Sequence, residues 1–151
     1  MISYISDSLL SEGNASAELE ALTKSAQQNN QCCGITGVLF YDRDRFFQTI
    51  EGDKQQVLDL YKSIEGDTRH QGIKKLVDQP IARRAFDCWS LETFFVHTPE
   101  VISPTTASFL DTLYFSDFSN FKADANKLVE SIGGMARELD PFRLFSGSTS
   151  H

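Results

Sequence analysis

Two side chains sit where strands of large apolar residues leave little room for polar groups. Gln48 interrupts the run "RFFQTI", and Tyr4 lies in the middle of "MISYIS". A primary amide buried without partners costs about 1–3 kcal/mol, so either Gln48 faces water or something receives it. Its amide is asymmetric: the carbonyl accepts while the NH2 donates. That pair matches a planar heteroaromatic ring whose edge carries a C=O beside an N–H. Further polar candidates are Asn29 and Asn30, read as closing the first helix, and "DTRH" (Asp67, Arg69 and His70), read as following the second. Trp89 in the last strand is the remaining one. Each has a plain alternative: strand tyrosine, edge glutamine, helix C-cap, solvated loop, core tryptophan. Together they converge on the groove between two helices if Tyr4 and Gln48 face that side of a sheet.

The elements that must position them follow from periodicity. "MISYIS" alternates as a strand. A helix runs from about Asn14 to about Gln28, with Ala15, Leu19, Leu22 and Ala26 on one face, Asn14 or Ser16 as cap, and "NNQCCG" as its break. "ITGVLFY" and "RFFQTI" form a hairpin through "DRD". Asp53 and Gln56 make a capping box for a second helix, whose buried stripe is Val57, Leu60, Tyr61 and Ile64 and which "GDTRHQG" ends. "IKKLVDQPIA" reads as a strand with an irregular end at Pro80. Phe86 to Val96 reads as the last strand, with Trp89, Leu91, Thr93 and Phe95 on one face. The order predicts an α+β, ferredoxin-like βαββαββ plan: a mixed sheet with two helices on one face. The expected division is a domain over 1–97, a helical extension over 98–142 that covers the other face or mediates self-association, and a disordered tail over 143–151.

Composition narrows the function classes. The 151 residues carry 14 basic and 21 acidic side chains, a formal charge of -7, which disfavours nucleic-acid and anionic-membrane binding. Three cysteines, Cys32, Cys33 and Cys88, show no metal or disulfide spacing. With no signal segment and no transmembrane run, a cytoplasmic location is expected. Phosphate-cradling, zinc-protease and nucleophile-elbow motifs are absent. A Cys–His pair of Cys32 or Cys33 with His70 has no spacing to support it.

The motifs "YIS", "NNQCCGITGVLFYDRDRFFQTIEG", "LYKSIEGDTRH" and "PIARRAFDCWSL" strongly resemble the BLUF domain, a blue-light sensor using flavin, from Met1 to about Val96. The resemblance implies that FAD, with FMN or riboflavin as alternatives, sits between the helices. It casts Tyr4 as the photo-oxidisable phenol and Gln48 as the switching amide beside the flavin N5/O4 edge. Asn29 and Asn30 become ring-binding residues, and Asp67, Arg69 and His70 sit at the ribityl and phosphate end or its surroundings. Trp89 and Leu91 are placed on the signalling strand. Two positions depart from the family pattern: Leu91 replaces a common methionine, and Ala26 replaces a serine found in several members. Output is expected through a homo-oligomer or a downstream protein partner, without metal. Two competing readings are a flavin-dependent oxidoreductase and a cofactor-free ferredoxin-like binding module.

Overall fold

The computed structural model describes residues 1–11, 13–42, 44–86, 90–95, 104–105, 108, 129–135 and 137–138. Its elements are β1 (Ile2–Ser8), α1 (Ala15–Cys33), β2 (Thr36–Asp42), β3 (Arg45–Glu51), α2 (Lys54–Glu65), β4 (His70–Asp78) and β5 (Glu92–Phe95). The strands form a five-stranded sheet in the order β4-β1-β3-β2-β5. β1 runs antiparallel to both β3 and β4, β2 antiparallel to β3, and β2 parallel to β5. This is the mixed, ferredoxin-like α+β sheet that the element order predicts.

Side-chain alternation divides the sheet into two faces. On one, Ile2, Tyr4 and Ile50 pack against Val57 and Tyr61 of α2. On the same face, Leu39, Tyr41 and Phe46 pack against Leu19, Leu22 and Ala26 of α1. The opposite face presents Ile5, Val38, Phe40 and Phe47, which are covered by Phe86 and by Ile132 and Met135 from helical residues 129–135. The second face is therefore covered in part by the C-terminal segment, as the pattern suggested for that region. The other readings beyond residue 97, including the tail, lie outside the described residues.

Two glycines of "GITG" are fixed by backbone demands. Gly34 caps α1 at φ 66°, a left-handed position that other residues resist. A Cβ on Gly37 would stand 2.1 Å from the Thr49 carbonyl oxygen on β3. The hairpin strands approach closely there, and only glycine fits.

Three boundaries differ from the sequence reading. α1 does not break at "NN" but continues to Cys33, because Gly34 supplies the cap and the Asn30 side chain makes a tertiary bond instead of a local one. β4 begins at His70 rather than after "GDTRHQG"; pairing of His70 with Ser8 draws the supposed loop into the sheet. β5 is confined to Glu92–Phe95. Phe86, Ser90 and Leu91, read as strand, lie outside it, their backbone surroundings being set by side chains of β3 and α1. The Asn14 side chain makes no capping bond, whereas that of Asp53 accepts from the Gln55 and Gln56 amides as its motif predicts.

Candidate flavin site

β1 and β3 are adjacent and antiparallel, with Tyr4 directly opposite Gln48. Both are on the helix-facing side and nearly buried, at 4% and 7% exposure. The Tyr4 hydroxyl donates to Gln48 Oε1. Burial pushes the Tyr4 phenol well above the usual tyrosine range, with Tyr61 and Asp67 adding to the shift, so it keeps its proton at neutral pH. Tyr61 meets the Tyr4 ring edge-on, with centroids 5.9 Å apart. Because Oε1 is taken by the phenol, the Gln48 Nε2 donor is left with no protein partner among the described residues.

These two residues form the floor of a cleft of about 220 Å³ between α1 and α2. One wall is Leu22, Ser25, Ala26, Asn29 and Asn30; the other is Leu60, Ser63 and Ile64; Asp67, Arg69 and His70 stand at the α2–β4 end. Asn30 is 2% exposed. It donates from Nδ2 to the Ser90 carbonyl at 2.6 Å. An amide has two N–H groups and an accepting oxygen. Among the described residues, one N–H and Oδ1 of Asn30 find no other partner and can serve a ligand. The buried, unpaired amide atoms of Gln48 and Asn30 in one apolar-walled cleft are the chemistry that a ring with alternating C=O and N–H groups requires.

The mouth is organised differently. The Arg69 guanidinium is held by Asp67, with Nε at 2.9 Å from Oδ1 and Nη2 at 2.5 Å from Oδ2. The same bonds hold the Asp67 carboxyl below its ordinary range and raise Arg69. His70 spends both ring nitrogens within the protein: Nε2 lies 2.6 Å from the Ile64 carbonyl and Nδ1 2.8 Å from the Ser6 hydroxyl. A carbonyl only accepts, so Nε2 carries a proton. His70 joins the end of α2 to β1 and is one of the residues lining the cleft.

Thus the expected Tyr4, Gln48, Asn29, Asn30, Asp67, Arg69 and His70 are brought together around one cleft. Trp89 lies outside the described residues. Leu91 is fully buried, but against Leu19, Leu39, Tyr41 and Phe46 rather than in the cleft. Sequence reasoning missed Ser25 and Ser63, which line the two helix walls. Their helical phase, beside Leu22 and Ala26 and beside Leu60 and Ile64, was the available signal.

A family model described as sensors of blue-light using FAD, BLUF, matches residues 1–92. The chain belongs to the BLUF family. This BLUF chain is 36% identical over 75 residues to photoactivated adenylate cyclase subunit beta of Euglena longa, covering 49% of the chain and 9% of that protein. It is 31% identical over 77 residues to the blue light- and temperature-regulated antirepressor BluF of Escherichia coli, covering 51% of the chain and 19% of the relative. The chain thus aligns with no more than about a fifth of either relative. Among solved structures, BlrB, a BLUF protein in its dark state, superposes with a TM-score of 0.72 at 26% identity, over 91% of this chain and 95% of that one. A bacterial light-regulated adenylyl cyclase gives 0.61 at 27% identity, over 93% of this chain and 40% of the other. Residues 1–92 are thus a flavin-binding blue-light sensor region. The residues present fit the flavin: Gln48 and Asn30 offer an imide edge the donors and acceptor it needs, between aliphatic helix walls that suit a flat ring.

Proposed function

We propose that the chain is a photoreceptor in which Tyr4 and Gln48 form the photoactive pair and FAD is held between α1 and α2. The observation that carries this is the buried Tyr4–Gln48 hydrogen bond at the floor of a cleft, with the Gln48 Nε2 donor unpaired among the described residues. When bound, the flavin supplies visible absorption and, once excited, an electron acceptor. Gln48 and Asn30 orient the ring edge, and Leu22, Ala26, Leu60 and Ile64 exclude water from its faces. The Tyr4 phenol keeps its proton in the dark because burial disfavours the phenolate. A phenol that loses an electron becomes a strong acid, and the acceptor aligned with its O–H is Gln48 Oε1. A proton taken up at Oε1 is balanced by one given up from Nε2 to the reduced ring, leaving the amide imidic and free to turn; when the electron and a proton return to Tyr4, Gln48 stays rotated or tautomerised. Either change alters what Gln48 presents to the cleft, and a stronger bond to the ring edge shifts absorption to the red.

The cleft also bears on which flavin is held. Arg69, the cation lining it among the described residues, is already paired with Asp67. Little free positive charge remains there for phosphates, so recognition rests on the ring, and FMN or riboflavin also enters. Output passes through self-association or a protein partner, with Leu91, Trp89 and β5 carrying the change. A cytoplasmic setting suits the exposed free thiols of Cys32 and Cys33. Among the described residues, no helix is long and apolar enough to cross a membrane.

The test is a pair of variants read by absorption. Tyr4→Phe and Gln48→Leu, loaded with FAD, are expected to stay yellow and to show no red shift after blue light. A normal shift in either would remove that residue from the photoactive pair.

A further inference from the structure

Three side chains of α1 reach across to the entry of β5. Thr23, Gln27 and Asn30 follow one another at i, i+4 and i+7, so they share one stripe of the helix. Asn30 Nδ2 donates to the Ser90 carbonyl, and Gln27 Nε2 donates to the Leu91 carbonyl, each at 2.6 Å. Thr23 Oγ1 lies 2.8 Å from Thr93 Oγ1 and donates its own proton to the Leu19 carbonyl, so the Thr93 hydroxyl is the donor between the two threonines. Among the described residues β5 is an edge strand paired with β2 alone, beginning at Glu92. Ser90 and Leu91 precede that ladder, and their carbonyls are held by the two amides of α1. Earlier in the chain, Glu51 accepts from the backbone amides of Ala85 and Phe86. Residues 85–86 and 90–91 are thus each held by side-chain bonds.

Asn30 belongs to both the cleft and this stripe; Gln27 and Thr23 do not line the cleft. We propose that Gln27 is a positioning residue, a latch between α1 and β5 whose bond to Leu91 O sets how long the light-adapted arrangement lasts. This rests on the photoreceptor reading. A ring edge that pulls differently on the Asn30 amide loads the Ser90 carbonyl, and the neighbouring Gln27 bond resists displacement of the strand entry. Removing it loosens the entry without touching the ring.

The experiment uses the full chain loaded with FAD, as wild type, Gln27→Ala, Gln27→Glu and the exposed-neighbour control Gln28→Ala. Amide hydrogen exchange over residues 91–95 is measured in the dark, and absorption recovery is followed after a blue pulse. Both Gln27 variants are expected to keep the dark spectrum and the red shift, while exchange and recovery rate each change about fivefold, the factor typical of one lost hydrogen bond. Gln28→Ala is expected to match wild type. Wild-type exchange and recovery in both Gln27 variants would overturn the latch, as would altered recovery with unaltered exchange. Loss of FAD from both would make Gln27 a binding residue and overturn it too. A wild type that binds FAD without a red shift overturns the photoreceptor reading, and the lifetime role with it; the exchange difference then separates that failure from absence of the bond.

Discussion

At the scale of single residues, a polar atom matters by what is left over after its protein partners are counted. Gln48 and Asn30 each have amide atoms remaining, and His70 has none. His70→Phe is therefore expected to lower unfolding free energy by about 1–3 kcal/mol in urea titrations, because it strips the partners of Ile64 O and Ser6 Oγ. FAD affinity is expected to change by less than about threefold, a fraction of a kcal/mol. A large loss of affinity with unchanged stability would return His70 to a ligand-binding role. Tyr4 and Gln48 were legible in the sequence because each breaks an apolar strand pattern, and alternation alone puts both on one face. The engagement of His70 was not: its partners lie on β1 and at the end of α2, and nothing local to "DTRH" signals them. Trp89 was legible as a candidate, but it falls outside the described residues.

At the scale of elements, the helix stripes, the hairpin and the Asp53 cap were readable because each depends on neighbours in sequence. The true ends of α1, β4 and β5 were not, since each is set by a tertiary partner: Asn30 with Ser90, His70 with Ser8, and Phe86 with Glu51. Glu51 is the strongest case. It looks like the polar end of a strand, yet it is fully buried and organises the approach to β5. Oε1 accepts from Phe86 N at 2.6 Å and from Thr36 Oγ1 at 3.1 Å, and Oε2 accepts from Ala85 N at 2.9 Å. Burial pushes its carboxyl up, against the opposing effect of these hydrogen bonds. A raised acid favours the protonated folded form. Its contribution to stability is full below the free-glutamate value of about 4.3 and is lost as pH rises through the higher folded value. Glu51→Gln turns one acceptor into a donor facing an N–H and removes the titration. The variant is expected to be less stable by about 1–3 kcal/mol at low pH, with the gap narrowing as pH rises. Chemical unfolding of both proteins from pH 4 upwards checks this; a gap that widens with pH would contradict it.

At the scale of the whole molecule, one sheet serves two purposes. Its helix-facing side holds the cleft. Its other side is closed by Phe86 and by Ile132 and Met135 of the C-terminal segment, so the sensory sheet and that segment share a core. Ile132 is fully buried. Ile132→Ala is expected to cost about 2–5 kcal/mol, read as a lower urea midpoint, while the FAD-bound spectrum is retained. A cost below about 0.5 kcal/mol, the range of surface substitutions, would mean that the segment does not seal the sheet in solution. The mixed sheet was legible from the order of elements, because a hairpin flanked by helices and further strands leaves few topologies. Which residues after the last strand close the second face could not be read from periodicity, since a helix stripe does not state its partner.

The most direct measurement of the central claim is the visible spectrum of the wild-type chain, supplied with FAD, recorded in darkness, after blue light, and again after dark recovery. The account predicts an oxidised-flavin band that moves to the red on illumination and returns in the dark with no reductant added. A chain that stays colourless in the presence of FAD, or is yellow with a band that light does not move, would contradict it.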